Sequence, residues 1–340
     1  MKKIIRLLRR MRMYKNREVW IDLTKGFACI LVALGHFFSS IMATEEGNGF
    51  VFLNWFVKTV YYFHVPLFFV CSGYLYQRIN IKNRVLFLEK KLVELGIPFC
   101  FFSVAKFILK NHVENINDII NIIFVNPVPP YWYLYILFFL FLIIPQINKT
   151  IISLILLLIS VVLRFLEPCI EYKVCYLISR SMICLIWFVL GMVIYQLGKS
   201  PKFCKFIDNL YCGIAMCILF MVSSTIEFLY DINNWVTNTI LTFIIIFGVI
   251  IIFRNISSRF KLTNTQVIAE YSMPIYLIHT FFGVFFKDII NMLNLNFNFI
   301  IIMIGALFTV LGPCLLYSIV KKIWIFDFLF YPAKYIQFKK

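Results

Sequence analysis

The sequence predicts an all-α, polytopic integral membrane protein with about ten transmembrane helices and both termini in the cytoplasm. Three observations predict this fold class. Of the 340 residues, 62% are hydrophobic, and the mean hydropathy is +0.88, far above that of soluble proteins. About ten apolar runs are each long enough to cross a hydrocarbon core of about 30 Å. The Lys and Arg residues concentrate in alternate connections.

The predicted spans follow one another through short connections and leave no room for a water-soluble domain of useful size. We therefore expect a ten-helix domain over residues 19–320, between a basic cytoplasmic N-terminal segment, 1–18, and a basic cytoplasmic tail, 321–340. The expected spans are 19–42, 51–77, 92–109, 131–147, 150–166, 177–198, 209–230, 235–253, 267–290 and 298–320.

The net charge of +17 invites a nucleic-acid partner, but its distribution argues against one. Basic residues fill the N-terminal segment and every second connection, whereas intervening connections such as 43–50 contain none. This positive-inside bias marks topology and contact with anionic lipids. The N-terminal segment is not expected to be a cleavable signal, because the following apolar run is too long and has no small-residue cleavage site.

The first span, VWIDLTKGFACILVALGHFF, contains Asp22, Lys25 and His36. Lys25 and His36 are eleven positions apart, so they share one helix face at a separation of about 16 Å along the axis, and Asp22 lies on nearly the same face. Ionisable groups in a spanning helix are costly unless they face a bundle interior or a wet cavity. The stripe therefore predicts a functional site. The alternative is that Asp22 and Lys25 are anchors at headgroup level and that His36 packs between helices.

The second span, VYYFHVPLFFVCSGYLYQ, places His64 near mid-depth and Pro66 two residues later. Pro66 cannot donate to the carbonyl of Tyr62, so a kink beside His64 is predicted. Ser72 adds a hydroxyl and Gly73 a point of close helix approach. His64 and Ser72 are candidate site residues, although both motifs also serve ordinary helix packing.

The ninth span, AEYSMPIYLIHTFF, places Ser272, Tyr276 and His279 on one face, with Pro274 kinking the helix beneath them. Three of the four histidines thus lie inside spans, where histidine is disfavoured. This placement favours a site. The fourth, His112, falls in a polar outward loop and is expected to be a plain surface residue.

The connection into the fourth span, FVNPVPPYWYLYILFF, stiffens the chain ahead of Trp132. Trp132 either belongs to an aromatic belt at the headgroups or forms a rim that stacks on sugars or closes an outer mouth. The ten cysteines contain no CxxC pattern, and no metal site is expected. Cys169 and Cys175 share an outward connection, where an oxidising compartment would allow a disulfide between them.

These polar groups define a loose chemical hypothesis. A neutral histidine in a dry helical bundle can act as general base toward a hydroxyl, and His36 is the candidate. No Ser, Cys or Asp is paired with it at a recognisable spacing, so a covalent enzyme intermediate is not indicated. Candidates for a contact to the developing oxyanion are Tyr276, His279 and Ser72. Candidates for binding a phosphate-bearing donor are Lys25, Lys90 and Lys91.

Four motifs, in order along the chain, resemble acyltransferase family 3, a family of bacterial membrane proteins. Lys25-x10-His36 is similar to its Arg/Lys-x10-His signature. FHVPLFFVCSGYLY, YWYLYILFF and YSMPIYLIH resemble its second-helix, Trp-Phe/Tyr-Leu and Ser-x-x-x-Tyr-Leu-x-His elements. The resemblance covers roughly residues 17–335.

The resemblance implies a multi-pass protein of the bacterial cell membrane that takes part in O-acetylation and exopolysaccharide biosynthesis. Such a protein moves an acyl group, usually acetyl from acetyl-CoA, to a hydroxyl of a surface glycan or its lipid-linked precursor. It implies His36 as the catalytic base and Lys25 as its partner in the motif. Membrane lipids and glycan-synthesis proteins are further expected partners. The choice between acetyl and succinyl, and the acceptor, stay open.

The stretch LEKKLVELGIPF departs from the family pattern. The family often has Arg-x-x-Arg ahead of the proline that opens its third helix, whereas Glu94 stands here in place of the second arginine. Donor phosphate contacts from Lys90 and Lys91 are therefore in question.

Two other classes of function remain open. A glycan or lipid transporter would also need polar groups at mid-depth, but the two halves show no repeat. A non-catalytic membrane subunit of a glycan-synthesis complex would tolerate loss of His36. Uptake of a labelled substrate without covalent change would favour the transporter.

The charge pattern predicts which connections face each side. Cysteines introduced into the outward connections should react with an impermeant thiol reagent in intact cells, and cysteines in the inward connections should react only after permeabilisation. Labelling of two adjacent connections from the same side would contradict the predicted spans. The outward positions are Asn48, Asn117, Asn233 and Asn294, and the inward positions are Lys82, Lys202 and Asn264.

Overall fold

The computed structural model describes residues 18–44, 49–110, 116–166, 176–232, 234–257 and 262–338, and all regular structure within these ranges is helical. Seven helices there are long and apolar enough to cross a membrane, so the chain is a multi-pass membrane protein by composition and length. The remaining predicted spans correspond to shorter helices. The ten crossings and the cytoplasmic termini stay predictions.

The described helices are α1 (Val19–Met42), α2 (Val51–Tyr61), α3 (His64–Arg78), α4 (Arg84–Lys91), α5 (Ile97–Lys110), α6 (Ile116–Ile120), α7 (Trp132–Ile143), α8 (Thr150–Leu166), α9 (Tyr176–Leu197), α10 (Pro201–Ile207), α11 (Leu210–Leu229), α12 (Trp235–Ile256), α13 (Leu262–Met292), α14 (Phe299–Val320) and α15 (Trp324–Phe330). π-Helical turns follow α4, over Leu92–Gly96, and α6, over Asn121–Val125.

Helix α1 lies at the centre of the bundle. It packs against α2, α3, α12, α13 and α14. Its small and apolar side chains are buried at successive turns, among them Ala28, Cys29 and Ala33. A helix surrounded on several sides can carry polar groups that would be unfavourable against lipid, and this position directs the predicted stripe into the protein.

The second predicted span is two helices, α2 and α3, as the kink at Pro66 led us to expect. Phe63 has a non-helical backbone between them. The proline leaves the carbonyl of Tyr62 without its helical donor. The hydroxyl of Thr242 on α12 lies 3.0 Å from that oxygen and shares its hydrogen between it and the carbonyl of Asn238, at 2.7 Å. The break is thus compensated from a neighbouring helix, and it places His64 at the first position of α3.

A very close helix crossing joins α3 to α9. A Cβ atom at Gly73 would lie 1.8 Å from the carbonyl oxygen of Phe188, and one at Gly191 would lie 2.0 Å from that of Val70. The two backbones are therefore in direct contact, which only glycine allows. This crossing fixes the position of α3 and its histidine.

The C-terminal segment is folded against the bundle. Its centre is the buried carboxylate of Asp327, which accepts hydrogen bonds from Tyr317 at 2.6 Å and Tyr335 at 2.7 Å and an ion pair from Lys334 at 3.2 Å. Burial raises the pKa of Asp327, but these hydrogen bonds and the lysine charge outweigh it and lower the pKa below its usual value. The segment expected as a basic tail thus holds a defined polar network.

We expect Gly191→Ala to destabilise the protein, because the new methyl group would overlap the backbone of α3. Forced overpacking of this kind costs about 1–3 kcal/mol. The thermal stability of detergent-purified protein measures the effect. Gly49→Ala is the matched control, since no atom of the described residues lies within 4 Å of a Cβ atom there. Equal stability of the two variants would contradict the crossing.

Candidate functional site

Two cavities lie side by side within the helical bundle. The larger cavity, of about 550 Å³, is lined by His36, His64 and Trp132 together with other residues of α2, α8, α9 and α12. The smaller cavity, of about 260 Å³, is lined by Lys25, Ser72 and Ser272 together with residues of α4, α7 and the C-terminal segment. The residues predicted from the sequence thus divide between two chambers.

Three aromatic rings form the wall between the cavities. Phe68, Tyr133 and Tyr276 line both, with ring centroids separated by 5.5 Å, 5.8 Å and 6.4 Å. The Tyr276 hydroxyl donates to the carbonyl of Pro130 at 2.6 Å, and that of Tyr133 lies 3.2 Å from Ser72 Oγ. Hydrogen bonds therefore hold the wall to the proline-rich connection and to α3.

The three histidines of the spans come together at the larger cavity. The ring of His36 on α1 lies 5.4 Å from that of His279 on α13 and 6.1 Å from Tyr61, and Tyr61 lies 4.9 Å from His64. His36 and His64 line the cavity, whereas His279 is fully buried behind His36. The sequence suggested that these histidines belong to one site, because each lies inside a span, but it did not show that the three spans meet.

His36 is the histidine best placed to meet a ligand. It is half-buried and lines the cavity, and within the described part of the chain no hydrogen bond engages its ring. His64 and His279, by contrast, each use Nδ1 to contact a backbone carbonyl of the preceding turn, at 2.8 Å and 2.9 Å. The hydrogen-bonding capacity of His36 is therefore left for a molecule in the cavity.

Two arginines at the larger cavity were not among the predicted site residues. Arg164 on α8 and Arg180 on α9 line it, and the Arg180 guanidinium lies 5.3 Å from the ring centre of Trp132. Both lie within predicted spans, and an arginine inside an apolar run was the available signal. Trp132 thus lines the larger cavity and contacts the Arg180 guanidinium, whereas the sequence suggested only a place in an aromatic belt or at an outer rim.

The smaller cavity holds a lysine–glutamate pair at the π-helical turn. Lys91 Nζ lies 2.6 Å from Glu94 Oε2, and both residues line the cavity with Lys25. Pro98 lacks the N–H that would reach back to Glu94, which accounts for the irregular turn. Glu94, which stands where the family often has an arginine, therefore forms an ion pair with Lys91.

Of the predicted residues, Lys90, Asp22 and His279 line neither cavity, whereas Ser272 lines the smaller one. Lys90 is exposed on α4, Asp22 is buried on α1, and Ser272 lines the smaller cavity while its hydroxyl donates to Ile268 at 2.7 Å. The donor-binding role of Lys90 and the oxyanion contact stay predictions. His112, Cys169 and Cys175 lie outside the described residues. Among the described residues, no group of three His, Cys, Asp or Glu side chains is arranged to hold a metal ion.

Comparison with known proteins gives one long match and two short ones. The chain is 27% identical over 134 residues to Nodulation protein NolL of Mesorhizobium japonicum, which covers 38% of this chain and 35% of that protein. It is 33% identical over 88 residues to Nodulation protein NolL of Sinorhizobium fredii, covering 26% of this chain and 24% of that protein. The matches thus span about a third or less of these curated relatives, and no solved structure matches.

The long match is to a family. The model of the acyltransferase domain of family 3 covers residues 18–318, which include α1 to α13, α14 as far as Ser318, and all the residues lining the larger cavity. Helix α1 with Lys25 and His36, the α3 segment, the Trp132 segment and the α13 segment all fall inside it. The chain belongs to acyltransferase family 3.

Proposed function

We propose that the protein is an O-acyltransferase that moves an acyl group, acetyl in the first instance, from cytoplasmic acyl-CoA to a hydroxyl of a cell-surface polysaccharide or its lipid-linked precursor. One observation carries the proposal. Lys25 and His36 lie on the same helix but line different cavities that share a single wall. A donor and an acceptor approaching from opposite sides of a membrane need this arrangement, with a base at the side of the acceptor.

The donor is assigned to the smaller cavity. Lys25 and Lys91 line it, and lysine ammonium groups bind phosphate as compact point charges. The predicted topology puts this end of α1 and the connection before α4 on the cytoplasmic side. The phosphates of acyl-CoA would lie toward these lysines, and the acyl group would reach the larger cavity past Phe68, Tyr133 and Tyr276.

The acceptor is assigned to the larger cavity. Trp132 and Trp187 offer aromatic faces, and Arg180 and Asn238 offer polar groups, a combination that suits a sugar. Arg164 and Arg180 flank the connection 167–175, which the charge pattern places outside. A surface glycan or a lipid-linked sugar would then enter from the outer leaflet.

His36 supplies the general base. Its unprotonated ring nitrogen accepts the proton of the acceptor hydroxyl while the hydroxyl oxygen forms a bond to the acyl carbonyl carbon. The carbon–sulfur bond of the donor then breaks, and the proton passes from His36 to the leaving thiolate. Ester and thiol are the products, and the histidine returns to its neutral form.

We expect His36→Ala to reduce acylation to a small residual rate while leaving membrane insertion intact, because alanine inserts readily in a spanning helix. Loss of a general base costs about 10²- to 10⁴-fold in rate. Mass spectrometry of surface polysaccharide from cells with the wild-type or the variant gene measures the transfer and also identifies the acyl group.

His112→Ala is the histidine control and should acylate like the wild-type protein. Substantial acylation by a well-expressed His36→Ala variant would remove the base from the mechanism. It would also bring forward the subunit and transporter hypotheses.

A second prediction compares acyl-CoA binding after substitution of two adjacent lysines, Lys90 and Lys91. Lys91 lines the smaller cavity and Lys90 is exposed, so Lys91→Gln should weaken acyl-CoA binding by roughly 10-fold, the typical effect of losing one charge-assisted contact. Lys90→Gln tests the donor-binding prediction for Lys90 and should have the smaller effect, because that side chain is exposed and lines neither cavity. Titration of purified protein with CoA measures both, and equal effects would contradict the assignment of the donor to this cavity.

A further inference from the structure

His279 is a buried group that the mechanism above does not use. Its side chain is 0% exposed. Nδ1 lies 2.9 Å from the carbonyl oxygens of both Ile275 and Tyr276, and carbonyl oxygens only accept hydrogen bonds. Nδ1 therefore carries the hydrogen, and Nε2 of the neutral ring presents a lone pair.

That lone pair has no hydrogen-bond donor among the described residues. A buried acceptor without a partner costs about 1–3 kcal/mol, so such a group in a membrane-embedded core calls for a role. The nearest ring is that of His36, at a centroid distance of 5.4 Å and an interplanar angle of 32°. Two imidazoles joined by an N–H···N bond have centroids about 5 Å apart.

We propose that His279 is a positioning residue for His36. In the reactive arrangement Nε2 of His279 accepts the ring N–H of His36, which leaves the other nitrogen of His36 unprotonated and facing the cavity. The hydrogen bond selects the tautomer that acts as a base and stabilises the imidazolium that forms when the hydroxyl proton is taken up. The backbone of α13 in turn fixes the tautomer of His279. This inference rests on the proposed role of His36.

The position of Pro274 supports this assignment. The proline lies one residue before Ile275, so it disturbs the helix just before the two carbonyls that His279 contacts. Helix α1 packs directly against this part of α13, where Cys29 Sγ donates to the carbonyl of Ser272 at 3.0 Å. The two histidines are thus held on adjacent helices whose contact is fixed about two turns away.

The test compares His279→Phe, which keeps a planar ring but removes the acceptor, with His279→Gln, which retains an acceptor oxygen near the position of Nε2. We expect His279→Phe to lower kcat on the order of 10²-fold, the typical effect of a misplaced catalytic group, with the KM of donor and acceptor nearly unchanged. His279→Gln should retain activity within about 10-fold of the wild-type protein. Activities are expressed per monodisperse protein, and His279→Leu replaces the Phe variant if that variant does not fold.

The double variant His36→Ala/His279→Phe gives a readout that a purely structural role would not move. Because His279 acts through His36, the double variant should be no slower than His36→Ala alone. If His36→Ala retains only a residual rate but His279→Phe keeps the wild-type kcat, the positioning role is wrong and the proposed function stands. Equal losses in the Phe and Gln variants, or additive effects in the double variant, would also overturn it. Acylation by His36→Ala near the wild-type rate would instead remove the proposed function itself.

Discussion

The need to keep ionisable groups away from lipid governs the arrangement of this protein. A charged or hydrogen-bonding side chain in hydrocarbon costs several kcal/mol unless it meets other polar groups or water. Helix α1 carries such groups at three of its turns, and the bundle surrounds it on several sides. Polar residues of α3 and α13, which pack against α1, are subject to the same constraint, and Arg164 of α8 and Arg180 of α9 line the same cavity as His36. The cavities lie where these groups meet.

Irregular backbone accompanies the polar groups at each cavity. The break between α2 and α3 begins a helix at His64, the π-helical turn presents Lys91 and Glu94, and Pro274 lies beside the turn that carries His279. Each irregularity frees a backbone group that a neighbour must satisfy, as Thr242 does for Tyr62. Such compensation is available only inside the bundle, so these sites are buried in protein.

The aromatic wall links the two halves of the proposed mechanism. A barrier is needed because an open channel would let water reach the thioester and ions cross the membrane. Phe68, Tyr133 and Tyr276 contact one another, and the two tyrosines are held by hydrogen bonds. Movement of these rings is a smaller change than movement of a helix, and it would admit the acyl group without opening the protein to water.

The sequence by itself determined the apolar segments, the break at Pro66, the candidate base and the family resemblance, because hydropathy, proline chemistry and motif spacing are local properties of the chain. Tertiary structure decided which cavity each residue lines, that Lys25 and His36 lie on opposite sides of a wall, and that Arg164 and Arg180 join the site. It also decided that His279 lies beside His36 and that Glu94 forms an ion pair with Lys91. These contacts join segments that are distant in the sequence. Helix periodicity shows which face of a helix a residue occupies, but it does not show which other helix packs against that face.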